Sequence, residues 1–224
     1  MKNCLIYSVK ADQRHLQHLN NSLKLVRDNL NPFTEDMDIL FFCDPEVADQ
    51  VTSIISELKI TNECKMLEFN TIQPEYNQSI QNRIIGNTSY KNMCRFWAGE
   101  IFKNKEVLKY DYYMRLDCDS YITSPIRFNP FEILKEKNKI YGFISGGVFL
   151  DSPDVCRDLN VTLKQFEVDH PELIVKGCDF KEGTLYYTNF EICKVKEFAE
   201  SNYMRLYEYL DKSGGIYILS LIHI

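Results

Sequence analysis

The first 69 residues alternate between short apolar runs and longer segments with helical periodicity. Asn3–Val9 is an apolar run of strand length, Met37–Cys43 is apolar enough for a strand buried on both faces, and Cys64–Phe69 is a third strand candidate. Ala11–Asn29 places apolar residues at helical spacing, and Asp44–Glu46 opens a further helix with a proline in its first turn. This order predicts an α/β fold with right-handed crossovers between parallel strands.

The rest of the chain contains further helical and extended patterns without repeats, low-complexity tracts or a linker, so a single domain is predicted. The polar stretch 70–87 is expected to form a loop. The predicted elements after it are a helix over Ser89–Phe102, a strand over Lys109–Leu116, a short helix over Pro130–Lys137, one or two strands within Lys139–Leu150, a helix over Val155–Asp169 and another within Glu191–Asp211.

Composition restricts the class of protein. The sequence is 45% hydrophobic and 26% charged, the balance of a soluble globular chain. No window approaches the roughly 18–20 apolar residues of a membrane span, and the N-terminal residues are too polar for a signal peptide. The formal net charge of -6 argues against a general nucleic-acid binder, because an acidic chain gains little from a phosphate backbone.

The cysteines and the glycosylation signals leave the cellular compartment open. The 8 cysteines form no C-x-x-C pair, and with only 4 histidines the chain has no zinc-finger spacing. Buried free thiols and one or more disulfides are both compatible with this spacing. Asn-x-Ser/Thr triplets, which hint at a secreted protein, begin at Asn20, Asn77, Asn87 and Asn160.

The tripeptide Asp117–Asp119 follows the predicted strand Lys109–Leu116. Ligands of open α/β sheets collect beyond the carboxyl ends of the strands. Carboxylates at positions i and i+2 of a chain leaving its strand can bind one hard cation, for which Mg²⁺ or Mn²⁺ suits the oxygen donors. Such an ion would offset the charge of a leaving diphosphate. A solvated turn is the alternative interpretation of the same triplet.

A series of motifs in consistent order resembles glycosyltransferase family 15, the fungal-type α-1,2-mannosyltransferases that use GDP-mannose. The family patterns are SYR-x-MCRF, a YYWR-V-E-P-D strand and loop, DPF, KYGF, SNFEI and YLDKSGGFYY. The corresponding segments here are SYKNMCRF (89–96), YDYYMRLDCD (110–119), NPF (129–131), KIYGF (139–143), TNFEI (188–192) and YLDKSGGIY (209–217). The resemblance covers nearly the whole chain.

This resemblance implies a fold and an activity. The expected fold is the glycosyltransferase A type, a Rossmann-like mixed sheet flanked by helices. The expected reaction moves mannose from GDP-mannose to a mannose-containing glycan, forms an α-1,2 link and retains the configuration of the sugar. The expected cofactor is Mn²⁺, with Mg²⁺ as the alternative, and no nucleic acid is expected among the partners.

The resemblance also assigns residues to the donor side of the site. Asp117 stands where the family has its metal-binding Glu, and Asp119 matches the second acid. Arg115 matches the family arginine beside them, where its guanidinium would bind phosphate oxygens or a carboxylate, or form a structural ion pair. Tyr90 matches a donor-site tyrosine that would bind phosphate or stack, with packing in a helix core as the alternative. Arg95 would pair with the diphosphate or with an acid of its own chain.

Glu191 matches the family residue proposed as nucleophile or as stabiliser of the developing oxocarbenium ion. Asn189 beside it would position the sugar or the carboxylate. Glycosidases show how a carboxylate serves a retaining reaction. Without the motif, Glu191 would be interpreted as an acid in the first turn of a helix, where it interacts with the helix dipole.

The C-terminal end departs from the family pattern. After Tyr217 the family continues with a segment like YERWGDAPVH and a distal metal-binding histidine, whereas this chain continues with ILSLIHI over 218–224. We therefore expect 1–217 to be a catalytic domain incomplete at its C-terminus and 218–224 to be a non-matching tail. The family's membrane anchor and stem have no counterpart in the sequence, and the resemblance implies a place in the Golgi lumen.

Other functions are compatible with the same residues. A glycosyltransferase with another nucleotide-sugar donor would share the acids, and an inactive glycan-binding fragment would keep the fold without turnover. A nucleotidyltransferase would also combine an acid-x-acid pair with an α/β sheet.

Overall fold

The computed structural model describes residues 1–30, 37–69, 76, 78–81, 88–144, 149–150, 159–173, 184–185 and 188–218. The strands are β1 (Asn3–Val9), β2 (Asp38–Cys43), β3 (Cys64–Glu68), β4 (Tyr112–Leu116), β5 (Tyr141–Phe143), β6 (Phe149–Leu150), β7 (Thr184–Leu185) and β8 (Phe190–Lys194). The α-helices are α1 (Gln13–Asn29), α2 (Ala48–Glu57), α3 (Gln78–Gln81), α4 (Thr88–Ala98), α5 (Pro130–Glu136), α6 (Leu159–Asp169), α7 (Val195–Ala199), α8 (Asn202–Lys212) and α9 (Gly215–Ile218). Short 3₁₀ turns lie at Pro45–Val47, Glu100–Lys103, Val107–Lys109 and Pro171–Leu173.

The chain divides into two compact units. The first comprises 1–70, 109–144 and 188–195, and the second comprises 71–108, 145–187 and 196–224. The first unit contains a six-stranded sheet in the order β3-β2-β1-β4-β8-β5. The strands β1 to β4 run parallel to one another, whereas β8 runs antiparallel to β4 and β5. The predicted mixed sheet is therefore confirmed.

The main core of the first unit lies between α1 and one face of this sheet. Leu5 and Tyr7 of β1 and Leu19 and Leu23 of α1 are fully buried there. Every residue of β2 is buried, which explains the continuous apolar run from Ile39 to Cys43. Asp12 caps α1, because its side chain accepts a hydrogen bond from a backbone N–H in the first turn of the helix.

The second unit is mainly helical in its described part. Tyr207 of α8 and Tyr217 of α9 are buried with Tyr76 and with Ala98 at the end of α4. At Gly99 a Cβ atom would lie 2.3 Å from the ring of Tyr207, so only glycine fits this ring against the backbone. The strands β6 and β7 form a two-stranded antiparallel pair.

Most of the predicted elements are present. The first three strands, the two helices between them and the strand before the acid pair are confirmed. The predicted helix over Ser89–Phe102 instead ends at Ala98, because Gly99 gives way to a 3₁₀ turn. The antiparallel strand β8 has no counterpart among the predicted elements, and α7 and α8 divide the segment in which one helix was expected.

Several sequence-based questions concern thiols, glycosylation and membranes. The cysteines within the described ranges are all free thiols: Cys4, Cys43, Cys64, Cys94, Cys118 and Cys193. Asn20 lies within α1, and the Ser22 of its triplet is fully buried. None of the described helices is long and apolar enough to cross a bilayer. Features that lie outside the described residues are Cys156, Cys178, Asn77, Asn87, most of the loop predicted over 70–87 and the end of the chain from 219.

Candidate active site

A tight turn over Asp117–Ser120, here named the acidic turn, follows β4. The backbone N–H of Ser120 donates to the carbonyl oxygen of Asp117 at 2.9 Å, which closes the turn. The backbone N–H of Asp117 donates to the carbonyl oxygen of Asn189 at 3.1 Å, so the first acid leaves the sheet beside the start of β8. The acid-x-acid pair therefore lies at the carboxyl end of a central strand, where open α/β sheets bind ligands.

Cys118 separates the two acids and points into the protein. It is 3% exposed, and its thiol donates to the carbonyl oxygen of Ser8 near the end of β1 at 3.3 Å. Asp119 is exposed, and the side chain of Asp117 keeps 34% of its accessible surface. Both carboxylates are thus open to solvent while the residue between them fixes the turn from inside.

Arg115 is a buried cation beside the acidic turn. It is 6% exposed, and its Nε donates to Oδ1 of Asp117 at 3.0 Å. The second oxygen of that carboxylate, Oδ2, accepts no hydrogen bond from the described residues. The predicted alternative of an internal ion pair is therefore present, and it leaves one side of the Asp117 carboxylate for a ligand.

Glu191 lies in β8 directly opposite Arg115 of β4. It is 5% exposed, and each carboxylate oxygen accepts a hydrogen bond from a tyrosine. The hydroxyl of Tyr113 donates to Oε1 at 2.9 Å and the hydroxyl of Tyr141 donates to Oε2 at 2.6 Å. Burial raises the pKa of Glu191 above its usual value, although Arg115 and both hydroxyls act to lower it.

The two tyrosines reach Glu191 from the strands on either side of β8. Tyr113 of β4 and Tyr141 of β5 are both paired with Cys193, which is on the same face of β8 as Glu191. Burial and the charge of Glu191 raise the pKa of both tyrosines, so each hydroxyl stays protonated and donates. Glu191 is thus a buried carboxyl group held at both oxygens.

These contacts correct one interpretation and add two residues. The interpretation of Glu191 as an acid in the first turn of a helix is wrong, because α7 begins only at Val195. Tyr113 and Tyr141 are missing from the sequence-based site. The available signal is the alternation in β4, which puts Tyr113 on the same face of the strand as Arg115.

Asn189 brings an unsatisfied oxygen to the same region. Its Oδ1 is buried and has no hydrogen-bond partner among the residues that the structure describes. A buried acceptor in this state is stabilised by a ligand that supplies a donor or a cation. The carboxylates of Asp117 and Asp119 and this amide oxygen are all oxygen donors, the type that Mg²⁺ and Mn²⁺ prefer.

Within the described part of the chain, no group of at least 3 His, Cys, Asp or Glu side chains is arranged to hold a metal ion. Mn²⁺ and Mg²⁺ commonly keep positions for water or substrate phosphates. An ion held at Asp117 would therefore have room for a phosphate ligand.

The remaining predicted donor-site residues, Tyr90 and Arg95, lie on α4 in the second unit. Tyr90 is 43% exposed, so its alternative interpretation as a helix core residue is wrong. Arg95 forms a bidentate ion pair with Asp211 of α8, with both N···O distances at 2.8 Å, and a further contact with Glu100 at 3.3 Å. The role of Arg95 toward a diphosphate stays a prediction.

The partner of Arg95 is a buried acid that the sequence-based site does not include. Asp211 is 9% exposed and lies within the YLDKSGGIY segment. The hydroxyl of Tyr76 donates to its Oδ1 at 3.3 Å. Its position in the last turn of α8, four residues before Gly215, gives no local signal of burial. 

The amino-acid sequence is similar to a known protein family and to individual yeast proteins. A family profile described as "Glycolipid 2-alpha-mannosyltransferase" matches residues 68–219. The probable mannosyltransferase KTR2 of Saccharomyces cerevisiae is 29% identical over 155 residues, which cover 59% of this chain and 36% of that protein. The alpha-1,2 mannosyltransferase KTR1 of the same yeast is 26% identical over 232 residues, covering 91% of this chain and 57% of its own. The chain thus spans roughly a third to somewhat more than half of these relatives.

Solved structures show the same fold. Core-mannan synthase A from Aspergillus fumigatus, in its Mn/GDP form, has a TM-score of 0.85 and 19% identity, covering 98% of this chain and 66% of that one. The mannosyltransferase Ktr4p of S. cerevisiae in complex with GDP has a TM-score of 0.84 and 21% identity, covering 98% and 63%. At this identity the likeness concerns the fold, and it confirms the predicted glycosyltransferase A-type architecture.

Proposed function

Since the chain belongs to the glycolipid 2-alpha-mannosyltransferase family, glycosyltransferase family 15, we propose that it moves mannose from GDP-mannose to a mannose-containing glycan. The link formed is α-1,2, and the configuration of the sugar is retained. One observation carries the proposal: Arg115, Asp117 and Glu191, which the family motifs assign to the donor site, meet at adjoining ends of β4 and β8.

The relatives support the choice of donor. KTR1 is named for α-1,2 mannosyl transfer, and the Ktr4p structure holds GDP. The Mn/GDP form of core-mannan synthase A supports a divalent ion together with a guanosine diphosphate in this fold. Family membership is also the support for an acceptor glycan that ends in mannose and for a place in the Golgi lumen.

The acidic turn would hold the ion. Asp117, Asp119 and Asn189 offer the oxygen donors, and a bound Mn²⁺ or Mg²⁺ would neutralise charge on the leaving diphosphate. Arg115 donates to Oδ1 of Asp117, which fixes the orientation of that carboxylate. Oδ2 of Asp117, which accepts no hydrogen bond from the residues that the structure describes, would then be available to the ion.

Glu191 would act on the sugar through its charge. The transition state of glycosyl transfer places positive charge on the anomeric carbon and the ring oxygen, which a fixed carboxylate stabilises. Both oxygens of Glu191 accept hydrogen bonds, and the residue is 5% exposed. This geometry suits a stabilising carboxylate better than one that moves to attack the anomeric carbon.

The test measures release and transfer of mannose from GDP-mannose with Mn²⁺ present. We expect Asp117→Ala and Glu191→Ala each to lower kcat by about 10²–10³-fold, the loss typical of removing one group that stabilises a transition state. Asp49→Ala, at an exposed acid in the first turn of α2, is the matched control and should keep the wild-type rate. Equal rates in all three variants would sink the site assignment.

Donor selectivity separates the proposal from its alternatives. GDP-mannose should raise the melting temperature more than UDP-glucose or UDP-galactose does, because only the correct donor gains its full set of contacts. A larger rise in melting temperature with a UDP-sugar would identify that sugar nucleotide as the donor instead of GDP-mannose. Binding of mannose-ended glycan without Mn²⁺-dependent turnover would identify a glycan-binding protein, and pyrophosphate release from nucleoside triphosphates would identify a nucleotidyltransferase.

A further inference from the structure

Helix α1 carries one buried hydroxyl on a face that is otherwise apolar. The other buried residues of this helix are Leu16, Leu19, Leu23 and Val26. Ser22 among them is 0% exposed. A buried hydroxyl is retained only with hydrogen-bond partners, so the two partners of Ser22 show what it does.

Ser22 joins β1 to the acidic turn. Its Oγ lies 2.7 Å from the carbonyl oxygen of Ser120 and 2.8 Å from the hydroxyl oxygen of Tyr7. A carbonyl oxygen can only accept, so Ser22 donates its single hydrogen to Ser120. The hydroxyl of Tyr7 must then donate to Ser22. The hydrogen bonds therefore run in one direction, from Tyr7 through Ser22 to Ser120.

The end of this chain is the residue that closes the acidic turn. The N–H of Ser120 donates to the carbonyl oxygen of Asp117, and its own carbonyl has left the sheet and its ladder partners. Helix α1 supplies the missing donor through Ser22. It repeats the arrangement about two turns further on, where Asn29 donates through Nδ2 to the carbonyl oxygen of Ile122 at 2.5 Å.

We propose that Tyr7 and Ser22 are positioning residues of the acidic turn, which hold the backbone of Asp117–Ser120 in the shape that directs both carboxylates to one cation. The proposal rests on the proposed function in so far as the turn binds the ion. Neither residue touches the carboxylates, and both are fully buried. They act through the Ser120 carbonyl alone, so changing them should alter the geometry of the turn without removing a ligand.

Backbone exchange tests the positioning without any metal. Tyr7→Phe removes one hydroxyl and keeps the ring, and Ser22→Ala removes the central hydroxyl. We expect the amide hydrogen of Ser120 to exchange with deuterium about tenfold faster in both variants. Tyr110→Phe is the matched control, because it is equally buried and hydrogen-bonded, but to Asp38 at the start of β2. It should leave Ser120 exchange at the wild-type rate.

Metal binding tests the consequence. Electron paramagnetic resonance of Mn²⁺ counts the free ion, and the titration is made with Mn²⁺ in the presence of GDP. We expect about tenfold weaker affinity in Tyr7→Phe and Ser22→Ala, the lower end of the loss seen when residues that orient metal ligands are changed, and no change in Tyr110→Phe. An altered spectrum of the bound ion would report changed ligand geometry, which a loss of global stability alone does not produce.

The two measurements separate this proposal from the proposed function. Unchanged Ser120 exchange in both variants overturns the positioning role, whatever the metal data show. Faster exchange with unchanged Mn²⁺ affinity overturns its link to the cation. If the wild-type chain binds no Mn²⁺ with GDP, the metal assignment of the acidic turn fails, and exchange at Ser120 decides the positioning role by itself.

Discussion

Arg115 and Glu191 face each other across the antiparallel pair of β4 and β8, and both side chains are almost fully buried. Arg115 also donates to Asp117, so one guanidinium is paired with the first acid of the turn and interacts electrostatically with Glu191 of the sheet. A buried charge without a partner is costly. The stability of the strand pair and the orientation of the acidic turn therefore depend on the same side chain.

Replacing Arg115 tests this dependence. Arg115→Met removes the cation and leaves Glu191 buried beside apolar atoms, so we expect the free energy of unfolding to fall by about 3 kcal/mol. Urea denaturation measures it. The double variant Arg115→Met/Glu191→Gln should recover part of the loss, with a coupling energy of about 1–3 kcal/mol. Lys135→Met is the control, because it removes an ion pair with Glu132 that is exposed on α5. It should lower the free energy of unfolding by less than about 0.5 kcal/mol.

The pH dependence of stability should reveal the buried carboxyl group. Burial raises the pKa of Glu191 above its usual value of 4.5. The folded chain then keeps this proton at pH values where the unfolded chain has lost it, so the contribution of Glu191 to stability falls as the pH rises above 4.5. Glu191→Gln cannot titrate. As the pH rises from about 4 to 7, the free energy of unfolding of this variant should therefore increase relative to that of the wild type. The increase should be about 1.4 kcal/mol for each unit by which the pKa of Glu191 differs between the folded and unfolded chains.

The comparison of these two proteins cancels every other titrating group. Urea midpoints at half-unit steps of pH are sufficient to define the difference between the two curves. Parallel curves would mean that Glu191 titrates alike in the folded and unfolded chains, and a difference of opposite sign would mean that Arg115 and the tyrosines outweigh burial.

The two tyrosines that hold Glu191 should affect turnover. Tyr113→Phe and Tyr141→Phe each remove one donor from the carboxylate. We expect kcat to fall about tenfold in each, with the KM for GDP-mannose within about twofold, because the carboxylate acts mainly on the transition state. Tyr112→Phe is the control: it is the neighbour of Tyr113 on the opposite face of β4, in the apolar core. Equal kcat values in all three variants would contradict the role of the two tyrosine hydroxyls that bind Glu191.

Local sequence patterns are sufficient to predict the strands of the parallel half of the sheet and the position of the acidic turn. The runs that become β1 and β2 are mainly apolar because both of their faces are largely covered. The acid pair could be placed at the end of a strand, since the apolar and tyrosine-rich segment before it ends at Leu116. Neither inference needs knowledge of which strands are neighbours.

The surroundings of Glu191 could not be predicted in the same way. The strand β8 is short and includes the charged residues Glu191 and Lys194. It owes its conformation to pairing with β4 and β5 rather than to propensity. The partner Tyr113 is 78 positions away in sequence. A shift of one residue in register would turn Glu191 to the opposite face of the sheet. The hydrogen bonds from the two tyrosines to Glu191 therefore depend on how the strands pair.

The buried pair of Arg95 and Asp211 gives a prediction for the second unit. The guanidinium of Arg95 donates to both carboxylate oxygens of Asp211, a geometry that the ammonium group of a lysine cannot reproduce. We expect Arg95→Lys to lower the free energy of unfolding by about 2 kcal/mol. Arg205→Lys is the matched control, because Arg205 pairs with Glu172 at 2.9 Å while both side chains remain about half exposed. It should change stability by less than about 0.5 kcal/mol, and similar losses in the two variants would contradict the importance of the bidentate contact.

Two glycines should differ in their tolerance of a methyl group. At Gly99 an added Cβ would lie 2.3 Å from atoms of the Tyr207 ring, which is itself fully buried and hydrogen-bonded to Glu100. At Gly142 the added Cβ would meet the end of Leu134 at 3.2 Å, and a flexible leucine can adjust. Gly99→Ala should therefore cost about 3 kcal/mol or more, and Gly142→Ala less than about 1.5 kcal/mol. Thermal unfolding of both variants measures the contrast, and equal melting temperatures would show that the Tyr207 ring can move away from the backbone.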